Sequence, residues 1–252
     1  MSAPAELLAW DTQFFGFRVA RVAGETLDAA AAEQVDAWSR AQAVRCLYFL
    51  ARPDDPGTLR AAEDCGFRLV DVRLTFGLPL GGQAWTPAPA AVVRPAEPAD
   101  APALDEMARA GFTDTRFFFD AGFPRERAEA LYALWLAGDL QAAAQDPAQA
   151  AVWVAGGEPG RPAGFLTARL KEGRGQIGLV GVGAAARGRG LGQALVRTAL
   201  AWGAARGAAE VRVVTQGRNL GAQRLYQRCG LISQALQLWY HKWYSPVEDV
   251  HA

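Results

Sequence analysis

The chain has 252 residues, 51% of them hydrophobic and 21% charged, with 26 basic side chains balanced by 26 acidic ones. That length suits one large or two modest domains, and the composition is that of an ordinary globular protein with room for a sizeable core. A formal net charge of zero supplies no field for DNA, RNA or anionic lipid, so neither a nucleic-acid nor a membrane partner is expected. Cys46, Cys65 and Cys229 are odd in number and lie outside any Cys-x-x-Cys or Cys/His cluster. They point to reduced thiols packed as small apolar groups, not to a disulfide framework or a zinc site. The sequence does not open with a basic stretch followed by an apolar run, and no run of about 18 apolar residues occurs. A cytoplasmic location is expected.

In chain order, Phe17 to Val22 alternates as a strand, Leu27 to Ala43 is an alanine-rich helix, and Arg45 to Ala51 is a buried strand. Pro56 opens a helix that runs to Asp64 and ends at Gly66, and Arg68 to Leu78 returns as a strand. Residues 1–80 thus form a small α/β domain. The Pro/Gly/Ala stretch at 81–91 lacks periodicity and reads as a linker. A larger domain, 92–252, follows. It begins with a strand at Ala91 to Arg94, a helix over about 100–111, an irregular loop at 112–123 and a helix from Pro124 to about Leu140. Strands at 151–155 and 162–171 flank a turn-rich sequence. A strand at 176–182, a helix at 190–206, a strand at 210–215, a helix at 219–229 and terminal strands through Tyr244 complete the chain.

The most informative stretch runs from Gln176 to Leu200. A strand ends near Val182, and Arg187-Gly188-Arg189-Gly190-Leu191-Gly192 opens a helix whose Leu191, Leu195, Thr198 and Trp202 share one face. Small residues let a ligand approach the backbone N–H groups, and the helix N-terminus adds the positive end of its dipole, so a pyrophosphate is the natural guest. A dinucleotide fingerprint fails, because the position of its third glycine holds Gln193. A P-loop fails for want of Gly-Lys-Ser/Thr. An ordinary strand-to-helix turn remains the alternative. One strand later, Asn219 can cap a helix through its side chain. Tyr226 lies two turns on, on the same face, and Gly230 ends that helix.

Arg-x-x-Gly-x-Gly after a strand, followed by Asn219-x-x-Ala-x-x-x-Tyr226-x-x-x-Gly230, resembles the coenzyme A site of the GNAT acetyltransferase superfamily. The resemblance implies an α/β GNAT acyltransferase fold, a mixed and mainly antiparallel central sheet flanked by helices, preceded by a smaller N-terminal α/β domain. It implies acetyl-CoA as acyl donor, held by Val180, Val182, Arg187, Gly188, Arg189, Gly190, Gly192, Gln193, Ala194, Leu195 and Asn219 where two central strands splay. It makes Tyr226 the general acid that protonates the departing thiolate, with a phenol near its ordinary pKa of about 10.

Leu8 to Gly16, with its Trp10-Asp11-Thr12-Gln13-Phe14-Phe15 core, and Asp114 to Trp135 resemble acetyltransferases of dTDP-linked fucosamine. The implied acceptor is a nucleotide-linked amino sugar such as dTDP-4-amino-4,6-dideoxygalactose. Arg116 is suited to bidentate phosphate contact, with Phe117 beside it; Arg125 and Arg127 read equally well as solvated first-turn arginines. Trp10, Phe14 and Phe15 read as packing, with base stacking the alternative. The family carries a carboxylate at Asp71 that would act as base, against the plainer reading of an exposed aspartate at a strand end. His241 and His251 lie near the C-terminus, so a histidine base is not expected, nor is a metal site. The competing functions are a GNAT enzyme for another small amine or a protein amine, and a non-catalytic acetyl-CoA-binding protein. Exposed terminal strands in such folds often pair, which makes a homodimer the self-association to test.

Overall fold

The computed structural model describes residues 3–81, 84–89, 92–158 and 160–245. In chain order it holds β1 (Ala5–Leu7), α1 (Ala9–Phe15), β2 (Val19–Val22), α2 (Ala29–Ala41), β3 (Cys46–Ala51), α3 (Pro56–Asp64) and β4 (Arg68–Pro79). There follow β5 (Val93–Pro95), α4 (Ala101–Gly111), the one-turn α5 (Arg116–Phe119), α6 (Arg125–Gln145), β6 (Ala150–Glu158), β7 (Arg161–Lys171) and β8 (Arg174–Val182). The last elements are α7 (Leu191–Ala205), β9 (Glu210–Gln216), α8 (Leu220–Arg228) and β10 (Ile232–Trp243). Of the linker expected at 81–91, residues 82, 83, 90 and 91 lie outside the described residues, as does the expected strand start at Ala91. Residues 84–89 form neither helix nor strand. Among the described residues no helix is long and apolar enough to cross a membrane.

The chain divides into two compact units. The first comprises Met1–Arg73, Thr115–Arg127 and Leu236–Ala252; the second comprises Leu74–Asp114 and Ala128–Ala235. β4 and β10 each contribute residues to both.

In the first unit the strand order is β1-β2-β3-β10, with β2 and β3 parallel and the outer pairs antiparallel. Its helices start where short polar side chains satisfy free N–H groups. Asp28 accepts from Ala31 N–H (2.7 Å), and Asp55 accepts from Gly57 (3.0 Å) and Thr58 (3.3 Å) ahead of a proline at the first turn of α3. Successive side chains of a strand point to opposite faces. Leu47, Phe49 and Tyr240 therefore join Val35 and Phe67 in an aliphatic and aromatic core, while Tyr48, Trp239, His241 and Trp243 occupy the other face. There Phe123 packs on Tyr48, His241 and Trp243.

In the second unit the order is β4-β9-β8-β7-β6-β5, antiparallel from β5 through β8 and parallel at β8–β9. The mixed, mainly antiparallel sheet expected from the sequence is thus present. α7 packs across β6, β7 and β8. Leu195, Thr198 and Trp202 are buried as expected, and so are Val196, Ala199 and Leu200, so the helix is apolar on more than one side. Truncating Leu195 to alanine would cost roughly 2–5 kcal/mol.

Three expected elements need correction. The loop at 112–123 contains α5, a single turn in which Phe118 and Phe119 N–H bond to Thr115 O and Asp120 N–H bonds to Arg116 O. α6 continues past Leu140 because Gln141-Ala142-Ala143-Ala144-Gln145 are strong helix formers. It stops at Asp146, which precedes Pro147 and accepts from the N–H groups of Ala148 and Gln149. The terminal strands are one strand, β10.

Candidate active site

β8 and β9 are in register only at Gly175–Val211, Gln176–Arg212 and Ile177–Val213. β8 then runs on to Val182 and β9 to Gln216. The strands part, and the β9-facing backbone of β8 around Val180 and Val182 has no sheet partner among the described residues. The cause is local. Gly178 and Leu179 stand opposite Thr167 alone, a bulge that bends β8, and Thr167 Oγ1 accepts the Leu179 N–H at 3.0 Å.

Beyond Val182 a short turn at Ala184–Ala186 leads to the glycine loop. Arg187 is extended and its Nε donates to Val182 O at 3.3 Å. Gly188 and Gly190 adopt left-handed backbone, with φ of 77° and 80°, a conformation that costs other L-residues roughly 1–2 kcal/mol. A Cβ on either glycine would meet no atom within 4 Å, so the space above the loop is open. Gly190 is the N-cap of α7, and among the described residues no side chain caps that helix. The first-turn N–H groups, including those of Gly192 and Gln193, are therefore left for a ligand, at the positive end of the helix dipole. Arg187, Gly188, Arg189 and Gly190 are exposed and Ala194 is half-buried. Leu195, expected to line the loop, has its side chain wholly in the core.

Asn219 caps α8: its Oδ1 accepts the Ala222 N–H at 3.0 Å, and its amide nitrogen makes no hydrogen bond among the described residues. Tyr226, two turns on, is only 4% exposed, with its ring centre 5.8 Å from that of Phe76. Its hydroxyl has no hydrogen-bond partner among the described residues. Burial pushes the phenol well above its ordinary value. The expectation of a near-ordinary phenol is corrected, because α8 turns this residue into the core.

In the first unit, Asp71 sits inside β4, only 5% exposed, and accepts the Val72 N–H at 2.8 Å. It is not at an exposed strand end. Arg116 is half-buried, with its guanidinium carbon 4.1 Å from the Trp239 ring centre, 4.3 Å from Phe117 and 4.7 Å from Tyr48. Among the described residues it forms no ion pair with a carboxylate. Phe117 is core, packed on Phe15 and Phe123. Arg125 lies over Phe118 and Arg127 over Phe14. Trp10 stacks on Phe14 at 4.9 Å and is 54% exposed. Cys46 and Cys229 are buried, which raises both thiols, Cys229 to about 11.

One group escaped the sequence reading. Asp120 accepts from His241 Nδ1 (2.6 Å), Trp243 Nε1 (2.8 Å) and Gly122 N–H (3.0 Å). His241 is 1% exposed, and its Nε2 is buried without a partner among the described residues. Burial, followed by the nearby Arg116 charge, lowers its pKa to about 4 against the opposing pull of Asp120. The lowered pKa favours the neutral ring, and the carboxylate beside Nδ1 selects the tautomer that donates Nδ1–H to Asp120. His251 lies outside the described residues.

Strands that part beside an amide-rich, glycine-bent loop are the hallmark of a protein that takes up an acyl-coenzyme A. Residues 109–231 match the model of the acetyltransferase (GNAT) family. The chain is 30% identical, over 95% of its length and 98% of the relative's, to dTDP-fucosamine acetyltransferase of Escherichia coli O6:H1. It is 27% identical, over 59% of its length and 50% of the relative's, to the spore coat polysaccharide biosynthesis protein SpsD of Bacillus subtilis. A GCN5-related N-acetyltransferase from Sphaerobacter thermophilus shares the fold, with a TM-score of 0.67 and 22% identity over 95% of this chain and 76% of that one. The chain belongs to the GNAT acetyltransferase family and is an acyl-CoA-dependent N-acetyltransferase.

Proposed function

We propose that the protein transfers an acetyl group from acetyl-CoA to the amine of a nucleotide-linked amino sugar, with dTDP-4-amino-4,6-dideoxygalactose as the leading candidate. The observation that carries this reading is the extent of the likeness to dTDP-fucosamine acetyltransferase, 95% of this chain. It reaches well beyond the 109–231 stretch that matches the family model. The division into an N-terminal domain at 1–80, a linker at 81–91 and an acetyltransferase domain at 92–252 belongs to the same proposal.

Bound acetyl-CoA supplies a thioester activated toward amines. The N–H groups of the 187–193 loop and the dipole of α7 hold its pyrophosphate, and the parted edge of β8 at Val180 and Val182, with Asn219, holds the pantetheine arm. The acceptor amine must be neutral to attack, so Asp71 takes the ammonium proton, directly or through water. As the C–N bond forms and the C–S bond breaks, Tyr226 supplies a proton to the sulfur; the proton that the nitrogen sheds on becoming an amide passes to water, and the phenol is restored from water. The raised phenol pKa makes Tyr226 a hydrogen-bond donor that gives up its proton late, after negative charge has built on the sulfur. Arg116 binds the acceptor's diphosphate.

The test is thiol release from acetyl-CoA against a panel of dTDP- and UDP-linked amino sugars and the corresponding free sugars. Turnover of a nucleotide-linked sugar at a kcat/KM far above that of its free form is expected. Equal rates for the two forms would show that no nucleotide is recognised and would overturn the assignment.

A further inference from the structure

Trp239, His241 and Trp243 are alternate residues of β10 and share one face with Tyr48, which β3 sets directly across from His241. Tyr48 and His241 stack at 4.7 Å. The segment from Arg116 to Phe123 rests on this face at two points, one helical turn apart. At the first, the Arg116 guanidinium lies over Trp239 and Tyr48. At the second, Asp120 receives N–H groups from both His241 and Trp243. The two points are coupled through the Asp120 N–H, which donates to Arg116 O at 2.9 Å. The fit at the second point is close: a Cβ on Gly122 would come within 2.2 Å of the Trp243 ring. Among the described residues, Arg116 Nε is itself buried without a partner.

We propose that His241 is a positioning residue for acceptor binding, which, with Trp243, pins Asp120 and thereby holds the Arg116 guanidinium in one geometry over Tyr48 and Trp239. This rests on the reading that Arg116 binds the acceptor's anionic group. An arginine without a carboxylate partner would otherwise lose its side-chain freedom only on binding, and holding it in place beforehand removes that penalty. The carboxylate of Asp120 needs donors because it is half-buried, and His241 supplies one that leaves the face uncharged beside Arg116. The charged or titratable neighbours of His241 on this face are Asp120, Arg116, Cys46, Tyr48 and Asp11.

The experiment uses the whole chain with acetyl-CoA and dTDP-4-amino-4,6-dideoxygalactose. His241→Leu removes the donor, His241→Asn keeps an N–H near Nδ1, and Trp243→Phe removes only the indole donor; His241→Leu is also combined with Arg116→Ala. His241→Leu is expected to raise the acceptor KM about three- to tenfold, the range for one side chain immobilised on binding, with kcat and the acetyl-CoA KM changed by less than about twofold. His241→Asn should restore most of the loss, and Trp243→Phe should show a smaller rise. In the Arg116→Ala background His241→Leu should add nothing. Hydrogen exchange of the 118–120 amides, read without any substrate, should quicken in His241→Leu and not in His241→Asn. Unchanged exchange, an unchanged acceptor KM, or an effect that adds in full to Arg116→Ala would each overturn the positioning role and leave the acceptor assignment standing. If the unaltered protein turns over no nucleotide sugar, the acceptor assignment fails and takes the positioning role with it. Should His241→Leu not fold, the Trp243→Phe and His241→Asn pair decides by the same readouts.

Discussion

The second unit offers its expected guest a backbone, whereas the first unit builds a face out of side chains. In the second, the loop after β8 needs almost no side-chain chemistry. Two left-handed glycines and an uncapped helix supply the N–H groups, and the open space above them accepts a ligand. In the first, a guanidinium lies over three aromatic rings and a carboxylate takes donors from a histidine and a tryptophan. A backbone site tolerates almost any side-chain change that leaves the turn intact. A side-chain site tolerates few. The proposed function assigns the acyl donor to the first kind of site and the acceptor to the second.

The comparison can be broken at several points, beginning with the largest effect. Tyr226→Phe keeps the ring against Phe76 and orphans no partner, so stability should hold while kcat falls by about 10²–10⁴, the usual span for losing a general acid. Single-turnover rates that stay near native would assign the proton to solvent.

Acidification should strain the side-chain face and leave the glycine loop alone. His241 has a folded pKa of about 4, below the ordinary 6.5, so the unfolded chain binds a proton first. Its neutral, paired form is fully favourable above about pH 6.5, and up to about 3 kcal/mol is lost as the pH falls toward 4. Asp120, held below the usual carboxylate range by His241 and Trp243, adds its own loss only at lower pH. Urea unfolding of the native protein and of His241→Asn at pH 7 and pH 4.5 should show a drop that the variant lacks; equal drops would remove His241 from the account.

Gly190→Asp sets a like charge where phosphates are expected and should weaken acetyl-CoA by about a hundredfold or more in calorimetry. Its left-handed φ is less hostile to aspartate than to most residues, and the fold should survive. Arg116→Ala should raise the acceptor KM about 10- to 150-fold, the cost of a charge-assisted contact of roughly 1.5–3 kcal/mol, with the acetyl-CoA KM unmoved. A rise in both constants would join the two sites that the comparison separates. Smallest of all, Asn219→Ala should cost about 1 kcal/mol through loss of the α8 cap, a shift of roughly 2–4 °C in Tm. A larger loss in acetyl-CoA affinity than in Tm would assign the side chain to the cofactor as well.

What the sequence made legible follows the same divide. Gly188, Gly190, Asn219 and Tyr226 sit in short windows where turn chemistry and helical spacing apply, and the structure places each in the element expected of it. The ionisation of Tyr226 was not legible, because it depends on Phe76 and the rest of a core gathered from distant strands. The plainer reading of Asp71 as an exposed strand-end aspartate fails for the same reason: β4 buries it inside the strand. α5 was missed because Arg-Phe-Phe-Phe has weak helical preference, and its single turn is held by tertiary contacts of Arg116 and Asp120. Asp120 and His241 stand 121 residues apart in sequence, and no spacing rule reaches that far.

One feature of the first unit bears on how the chain comes into being. Ala51 of β3 pairs with Leu238 of β10, so the strand beside β3 lies far along the chain and is synthesised long after it. At roughly 5–20 residues per second, β3 waits about ten seconds or longer on the ribosome with that edge uncovered. The second unit ends at Ala235. Synthesis therefore completes every segment of the second unit before the strand that covers β3 has emerged. A nascent chain stalled before Leu238 would expose Leu47, Phe49 and Ala51, three apolar residues on an open strand, and that is the interval in which this protein is most exposed to aggregation.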